Sequence, residues 1–328
     1  MRKWGFIAVA VAIAGCAGLP APALADDEPG AGAHGADRDK AVETENIFGF
    51  TAGSDTGDAN GKGVSSEATP RTGKRIGAYR ALGTKAEFGF GVTDDFNMSF
   101  SALGDCHRIR NVMDFDDVRG RCGLNGVGAE VRWRLLNRKT APFGLTLHAE
   151  PSFARFDESS GQVGRKIGSE NKIILDKELI PDTLFGAVNL LYEPERFRER
   201  LVIPAERGSV GGVAAALSHR VSKTTFVGGE LRYLRAYDGF ALNRFSGQAL
   251  YAGPTLYTQL TEKAWLSAAW NIQVAGREAL DRRDVAAGVV EALEAGEDPL
   301  SAVPVRRSHL DLKNFERHRI KVKAGFEF

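Results

Sequence analysis

From residue 82 onward the chain alternates apolar and polar side chains, run after run, with turn-forming residues between the runs. In LGTKAEFGFGV, Leu82, Thr84, Ala86, Phe88, Phe90 and Val92 share one face. After Thr93-Asp94-Asp95 the pattern resumes with Phe96, Met98, Phe100 and Ala102. Successive side chains of a strand point to opposite faces, so a period of two predicts half-buried strands. Val127, Ala129, Val131, Trp133 and Leu135 face away from Glu130, Arg132 and Arg134. Beyond the NRKTAP turn, Phe143, Leu145, Leu147 and Ala149 oppose Thr146, His148 and Glu150. The last nine residues, I-K-V-K-A-G-F-E-F, set Ile320, Val322, Ala324, Phe326 and Phe328 against Lys321, Lys323, Gly325 and Glu327. Further strands are predicted near 168–178, 183–193, 210–221, 224–236, 247–260, 264–275 and 315–328.

The connections alternate too. Short turns fall at 93–95, 137–142, 179–182, 222–223 and 261–263, and long polar segments at 104–121, 157–167, 194–209, 237–246 and 276–314. Turns that are short at one end and long at the other are the habit of outer-membrane β-barrels. The pattern therefore predicts an all-β, closed antiparallel transmembrane barrel over residues 45–328, with twelve strands and fourteen as the alternative. An even count needs one strand before residue 82, at 45–52 or at 61–70. Phe90, Phe96, Trp133, Phe143 and Phe328 all stand at strand ends beside short turns or the C-terminus, as a ring at one membrane boundary requires. Residues 284–296 (DVAAGVVEALEAG) predict a short helix in the last external loop, capped by Asp284 and stopped at Gly296. Such a helix either folds into the lumen or caps the outer rim.

The N-terminus changes the compartment. Arg2 and Lys3 precede an apolar stretch from Gly5 to Ala14, and Ala23-Leu24-Ala25 suits cleavage before Asp26, which makes residues 1–25 a signal peptide. Ile13-Ala14-Gly15-Cys16 leaves a lipidated Cys16 as the alternative. Residues 26–44, rich in Gly, Ala and Asp, read as a flexible periplasmic lead-in. The formal charge of +1 falls to about −1 once Arg2 and Lys3 leave, which argues against nucleic acid as a partner. In an oxidising compartment Cys106 and Cys122 form an even pair, expected to be a disulfide that closes a surface loop. The terminal strand resembles the last strand of bacterial outer-membrane barrels. That resemblance implies outer-membrane lipid as surroundings and the barrel-assembly machinery as a partner reading Phe326 and Phe328.

The inward faces supply the candidate chemistry. Glu130, Arg132, Arg134, His148, Glu150, Glu230, Arg232, Arg319, Lys321 and Lys323 all fall there, with Lys85, Glu87, Asn189, Asn271 and Gln273 beside them. Charges inside a barrel either pair to fill it or line a passage that selects a solute. The first expectation is a channel for a small polar or anionic solute. The second is a plugged structural or binding barrel that works through its external loops. A barrel enzyme ranks below both, because no histidine has a serine two residues away and adjacent Ser218 and His219 face opposite sides. No phosphate loop, zinc motif or dinucleotide fingerprint appears, so neither a metal site nor a cofactor is expected.

Glu230 to Gly276, with FGFTAGSDTG (48–57), GVTDDF (91–96) and DKELIPDTLFGAVNLLYEPE (176–195), resembles a group of uncharacterised proteobacterial outer-membrane proteins. The resemblance spans most of the mature chain. It implies a transporter-like outer-membrane barrel and brings no catalytic residues with it.

Overall fold

A strand inside hydrocarbon finds no water for its N–H and C=O groups, so each edge must be paired with another strand. The computed structural model meets that demand by closure. It describes residues 42–112, 115–199, 205–279, 289–290, 293–294, 296 and 309–328. Among these, twelve strands run antiparallel: β1 (Lys62–Thr72), β2 (Ala78–Thr93), β3 (Phe96–Arg110), β4 (Val118–Leu136), β5 (Gly144–Phe156), β6 (Val163–Ile180), β7 (Leu184–Glu199), β8 (Glu206–Arg220), β9 (Thr225–Asp238), β10 (Arg244–Gln259), β11 (Ala264–Glu278) and β12 (His318–Glu327). Each pairs with its neighbours in sequence, and β1 closes on β12 with Val64 opposite Phe326 and Ala68 opposite Val322. The twelve-strand expectation therefore holds. The first strand is the one near 61–70, and residues 45–52 are not a strand.

Phe88, Phe100, Val127, Trp133, Leu217 and Leu231 lie exposed on the outer face, as a lipid-facing band demands. Phe96 pairs with Trp133 at the short-turn end. Phe326 and Phe328, both exposed, stack at 6.4 Å there, and Phe328 N donates to Lys62 O at 3.0 Å. Among the described residues no helix is long and apolar enough to cross a membrane.

At the other end the strands outrun their predicted limits. β3 continues to Arg110 and β4 starts at Val118, where a loop over 104–121 was expected; β7 reaches Glu199 and β8 starts at Glu206. There the inward face is buried but partly polar, with Asp105 and His107 beside Ile109, and the outward face carries Arg108 and Arg110, so the apolar–polar alternation that marks a strand in the sequence fades although the ladder continues. The same extension changes the disulfide's setting. Cys106 and Cys122 are bonded, yet they are ladder partners on β3 and β4 with Cα atoms 4.1 Å apart, and they staple two strands instead of closing a loop. The predicted helix lies mostly outside the described residues. Its fragments 289–290 and 293–294 are helical, with Val290 and Leu293 exposed and Gly296 at a positive φ of 72°.

Candidate functional site

The lumen is filled from the short-turn end by the chain's own residues 42–57. Ile47 and Phe48 pack on Phe185, Ala187, Ala216 and Phe226, an apolar cluster inside the barrel. Gly49 permits the bend that carries the segment past the wall. Its φ is +84°, and a Cβ there would come within 2.7 Å of the Ala269 Cβ.

Past that bend the plug is held by polar wall residues. Glu230 Oε2 accepts from Phe50 N at 3.1 Å, Thr51 N at 2.9 Å and Thr51 Oγ1 at 3.0 Å. Asn189 clamps Ala52 from both sides: its Oδ1 accepts from Ala52 N at 2.8 Å, and its Nδ2 donates to Ala52 O at 2.9 Å. Ser54 N donates to Asp176 Oδ2 at 3.0 Å, and Arg132 Nη2 donates to Gly53 O at 2.7 Å and Asp55 O at 3.0 Å. Gly144 leaves no side chain where Ser54 and Asp176 meet. Asp55 folds the plug on itself by accepting from Thr44 N at 2.9 Å, and it pairs with Arg138 Nη2 at 2.8 Å. Burial works against the Asp55 carboxylate, but Arg138 and Thr44 outweigh it and hold its pKa below the usual range. Buried charges are tolerated when paired in this way.

Above the plug lies a belt of charge. Lys85 Nζ reaches Glu87 at 2.7 Å, Glu150 at 2.9 Å and Glu130 at 3.7 Å, and His148 Nε2 stands 3.3 Å from Glu130. The Glu130, His148 and Glu150 ligand atoms lie within 4.8 Å of one another, a spacing that suits a metal, but the Lys85 ammonium already contacts both carboxylates. Lys172 pairs with Glu170, and Lys321 with Glu67 at 3.3 Å. Glu170 keeps 39% of its side-chain surface open although strands enclose it, so water-sized space persists at this level.

The far end is capped from inside by residues 309–317. Lys74 Nζ donates to Lys313 O at 3.0 Å and Phe315 O at 3.1 Å, and Gln273 Nε2 donates to Asp311 O at 2.9 Å. Phe315 joins Leu234, Ala249 and Tyr251. Arg319 pairs with Glu316, which is buried. Burial would raise the Glu316 carboxyl, but Arg319 and Arg71 hold it at about 2. Loop 157–162 adds to the cap: Arg71 Nη2 and His107 Nε2 both donate to Glu158 O, each at 2.8 Å.

The ten lumen candidates thus divide into groups. Arg132, Arg134 and Glu230 hold the plug or its rim, Arg134 through Asp95 at 2.8 Å and Asp55 at 3.7 Å. Lys323 reaches Asn46 Oδ1 at 3.3 Å, while Arg232 and Lys321 face the plug's Phe50. Glu130, His148 and Glu150 belong to the belt, and Arg319 to the cap. Ser218 donates to Ile47 O at 3.0 Å, whereas neighbouring His219 is exposed on the outer face. Sequence reasoning missed Asp176, Arg138, Glu170 and Lys172. The even positions from 166 to 178 carry the signal, but Ile173, Ile174 and Leu175 blur it by being apolar on both faces.

Residues 40–328 match a sequence family described as a family of unknown function (DUF6662). No curated protein matches the chain. Among solved structures, the COG4313 outer membrane channel from Pseudomonas putida F1 superposes with a TM-score of 0.51 at 10% identity, over 84% of this chain and 98% of that one. The NanC porin gives 0.43 at 10% identity, over 81% and 100% of the two chains. The Pseudomonas putida toluene transporter TodX gives 0.39 at 6% identity, over 87% and 95%. At these identities the likeness is one of fold alone.

Proposed function

The chain belongs to the DUF6662 family, over a match that takes in the plug as well as every strand, and we propose that it is an outer-membrane channel for a small charged solute, closed by its own N-terminal segment. The observation that carries this reading is the contrast along the lumen. Plug contacts at Glu230, Asn189 and Asp176 are closely packed, whereas Glu170 in the belt keeps 39% of its side-chain surface open. A barrel meant only to be a solid pillar has no use for an open charged level between two stoppers.

The nature of the plug's hold supports the same reading. It rests on hydrogen bonds and ion pairs to side chains on β4, β6, β7 and β9, each worth about 1.5–3 kcal/mol when one partner is charged. Such bonds can be exchanged for water one after another, so the segment is removable in a way that a strand of the wall is not. Charged rings in the belt would then select the solute. The outer membrane channel from Pseudomonas putida F1, similar in fold, is a precedent for conduction by a barrel of this shape. The cap at residues 309–317 favours a second reading, a binding barrel closed at both ends that acts through its loops.

Single-channel recording in planar bilayers separates the two. Wild-type protein is expected to be mostly silent with rare openings, and a variant lacking residues 42–57 to conduct in steps. A deletion variant that folds, as judged by heat-modifiable gel migration, and still gives no steps above background would overturn the channel reading.

A further inference from the structure

Glu230 and Arg232 stand two residues apart on the same inward face of β9, where the two charges could pair. Glu230 instead turns to the plug and accepts from Phe50 N, Thr51 N and Thr51 Oγ1. Arg232 is only 4% exposed, and its Nε and Nη1 find no acceptor among the described residues. The other cations at this level have acids in ion-pair contact: Lys85 has three, Lys172 has Glu170 and Lys321 has Glu67, whereas the Glu193 carboxylate on β7 acts on Arg232 only through space. Buried guanidinium N–H groups without an acceptor are costly.

What covers Arg232 is an aromatic ring. The Phe50 centroid lies 4.8 Å from the guanidinium carbon and 5.1 Å from Lys321 Nζ, so one ring faces two cations. Attraction of this kind offsets part of the cost, but it gives the unpaired N–H groups no oxygen.

We infer that Arg232 is the docking point for a small carboxylate solute, and that Phe50 holds the place the solute takes. A carboxylate supplies the acceptors that Nε and Nη1 lack. An aromatic carboxylate fits best, since its ring also reproduces the face that Phe50 presents to Arg232 and Lys321. Displacing Phe50 strips Glu230 of its donors and lets it compete for Arg232, which keeps the docking reversible. The inference deepens the channel reading and rests on it for the solute's route, although not for binding itself.

Calorimetric titration of the full-length barrel in detergent, with folding checked by gel migration, tests it with sodium benzoate as probe. Phe50→Ala is expected to bind benzoate saturably and at least tenfold more tightly than wild type. Adding Arg232→Gln to Phe50→Ala is expected to weaken binding at least tenfold. Adding Arg235→Gln, on the same strand but facing outward, should change nothing. Benzamidine, a cation of similar shape, should not bind, and this comparison needs no variant at Arg232. The inference is overturned if benzoate shows no saturable binding, if benzamidine binds as well, or if Arg232→Gln leaves affinity unchanged. A barrel that binds benzoate at Arg232 yet passes no current removes the channel reading and leaves the site; one that conducts without binding does the reverse.

Discussion

Glu230 is one of two wall carboxylates, with Asp176, that each take three donors from the plug, and Glu230→Gln removes its charge while keeping its shape. In the native protein one carboxylate serves three donors, Phe50 N, Thr51 N and Thr51 Oγ1, at 2.9–3.1 Å. Hydrogen bonds to a charged group contribute about 1.5–3 kcal/mol and neutral ones about 0.5–1.5, so each contact weakens by roughly 1 kcal/mol. The combined loss is about 3 kcal/mol, which is roughly a hundredfold in the ratio of seated to unseated plug. The wall itself is spared, because Glu230 makes its contacts with the plug and its ladder partners are backbone groups of β8 and β10. Hydrogen exchange reads the effect directly: amides of Phe50 and Thr51 are expected to lose about a hundredfold in protection while those of β9 keep theirs. Unchanged protection at Phe50 and Thr51 in a folded Glu230→Gln barrel would show that Glu230 does not hold the plug.

Gly144→Ala places a Cβ against Ser54 Oγ and the Asp176 carboxylate; overpacking of about 1–3 kcal/mol should make residues 52–55 exchange faster while the melting temperature of the barrel hardly moves. Acid should loosen the cap. Glu316 has a folded pKa of about 2 against an ordinary 4.5, so its contribution is complete above pH 4.5 and fades as pH falls toward 2; amides of 309–317 are expected to be less protected from hydrogen exchange at pH 2 than at pH 5, after correction for the intrinsic rates, and equal protection at both counts against the ion pair. Replacing Cys106 and Cys122 together by Ser removes a link across 16 residues of sequence, worth at most about 3 kcal/mol on the chain-entropy estimate. Because the two strands remain laddered, the double variant should still close into a barrel, and failure to show heat-modifiable migration would contradict this.

Much of the wall was legible because a membrane barrel writes its two surroundings onto alternate residues. Val131 and Trp133 against Glu130 and Arg132 announce lipid on one side and lumen on the other, and both faces are where the pattern put them. The plug was not legible for a related reason. Residues 47–50, I-F-G-F, look like the start of another strand, and only the bend at Gly49 and partners far along the chain make them a stopper. The bonds from Thr51 to Glu230 and from Ser54 to Asp176 join positions more than a hundred residues apart, which no local period encodes. The belt fell between these cases. Its residues could be named as inward, but not which acid each cation takes, and the isolation of Arg232 follows from Glu230 being engaged elsewhere.

The plug can be locked in place and released within one molecule. An ideal Cβ on residue 144 lies 2.9 Å from the Ser54 Cβ, slightly closer than a disulfide needs, so Ser54→Cys with Gly144→Cys can bond after a small shift. In planar bilayers the oxidised double variant is expected to lose even the rare openings of wild type and to regain them once reductant is added, with wild type under the same reductant as the control for Cys106–Cys122. Steps of equal size and frequency before and after reduction, with the engineered bond verified by mass, would contradict a plug that closes a channel.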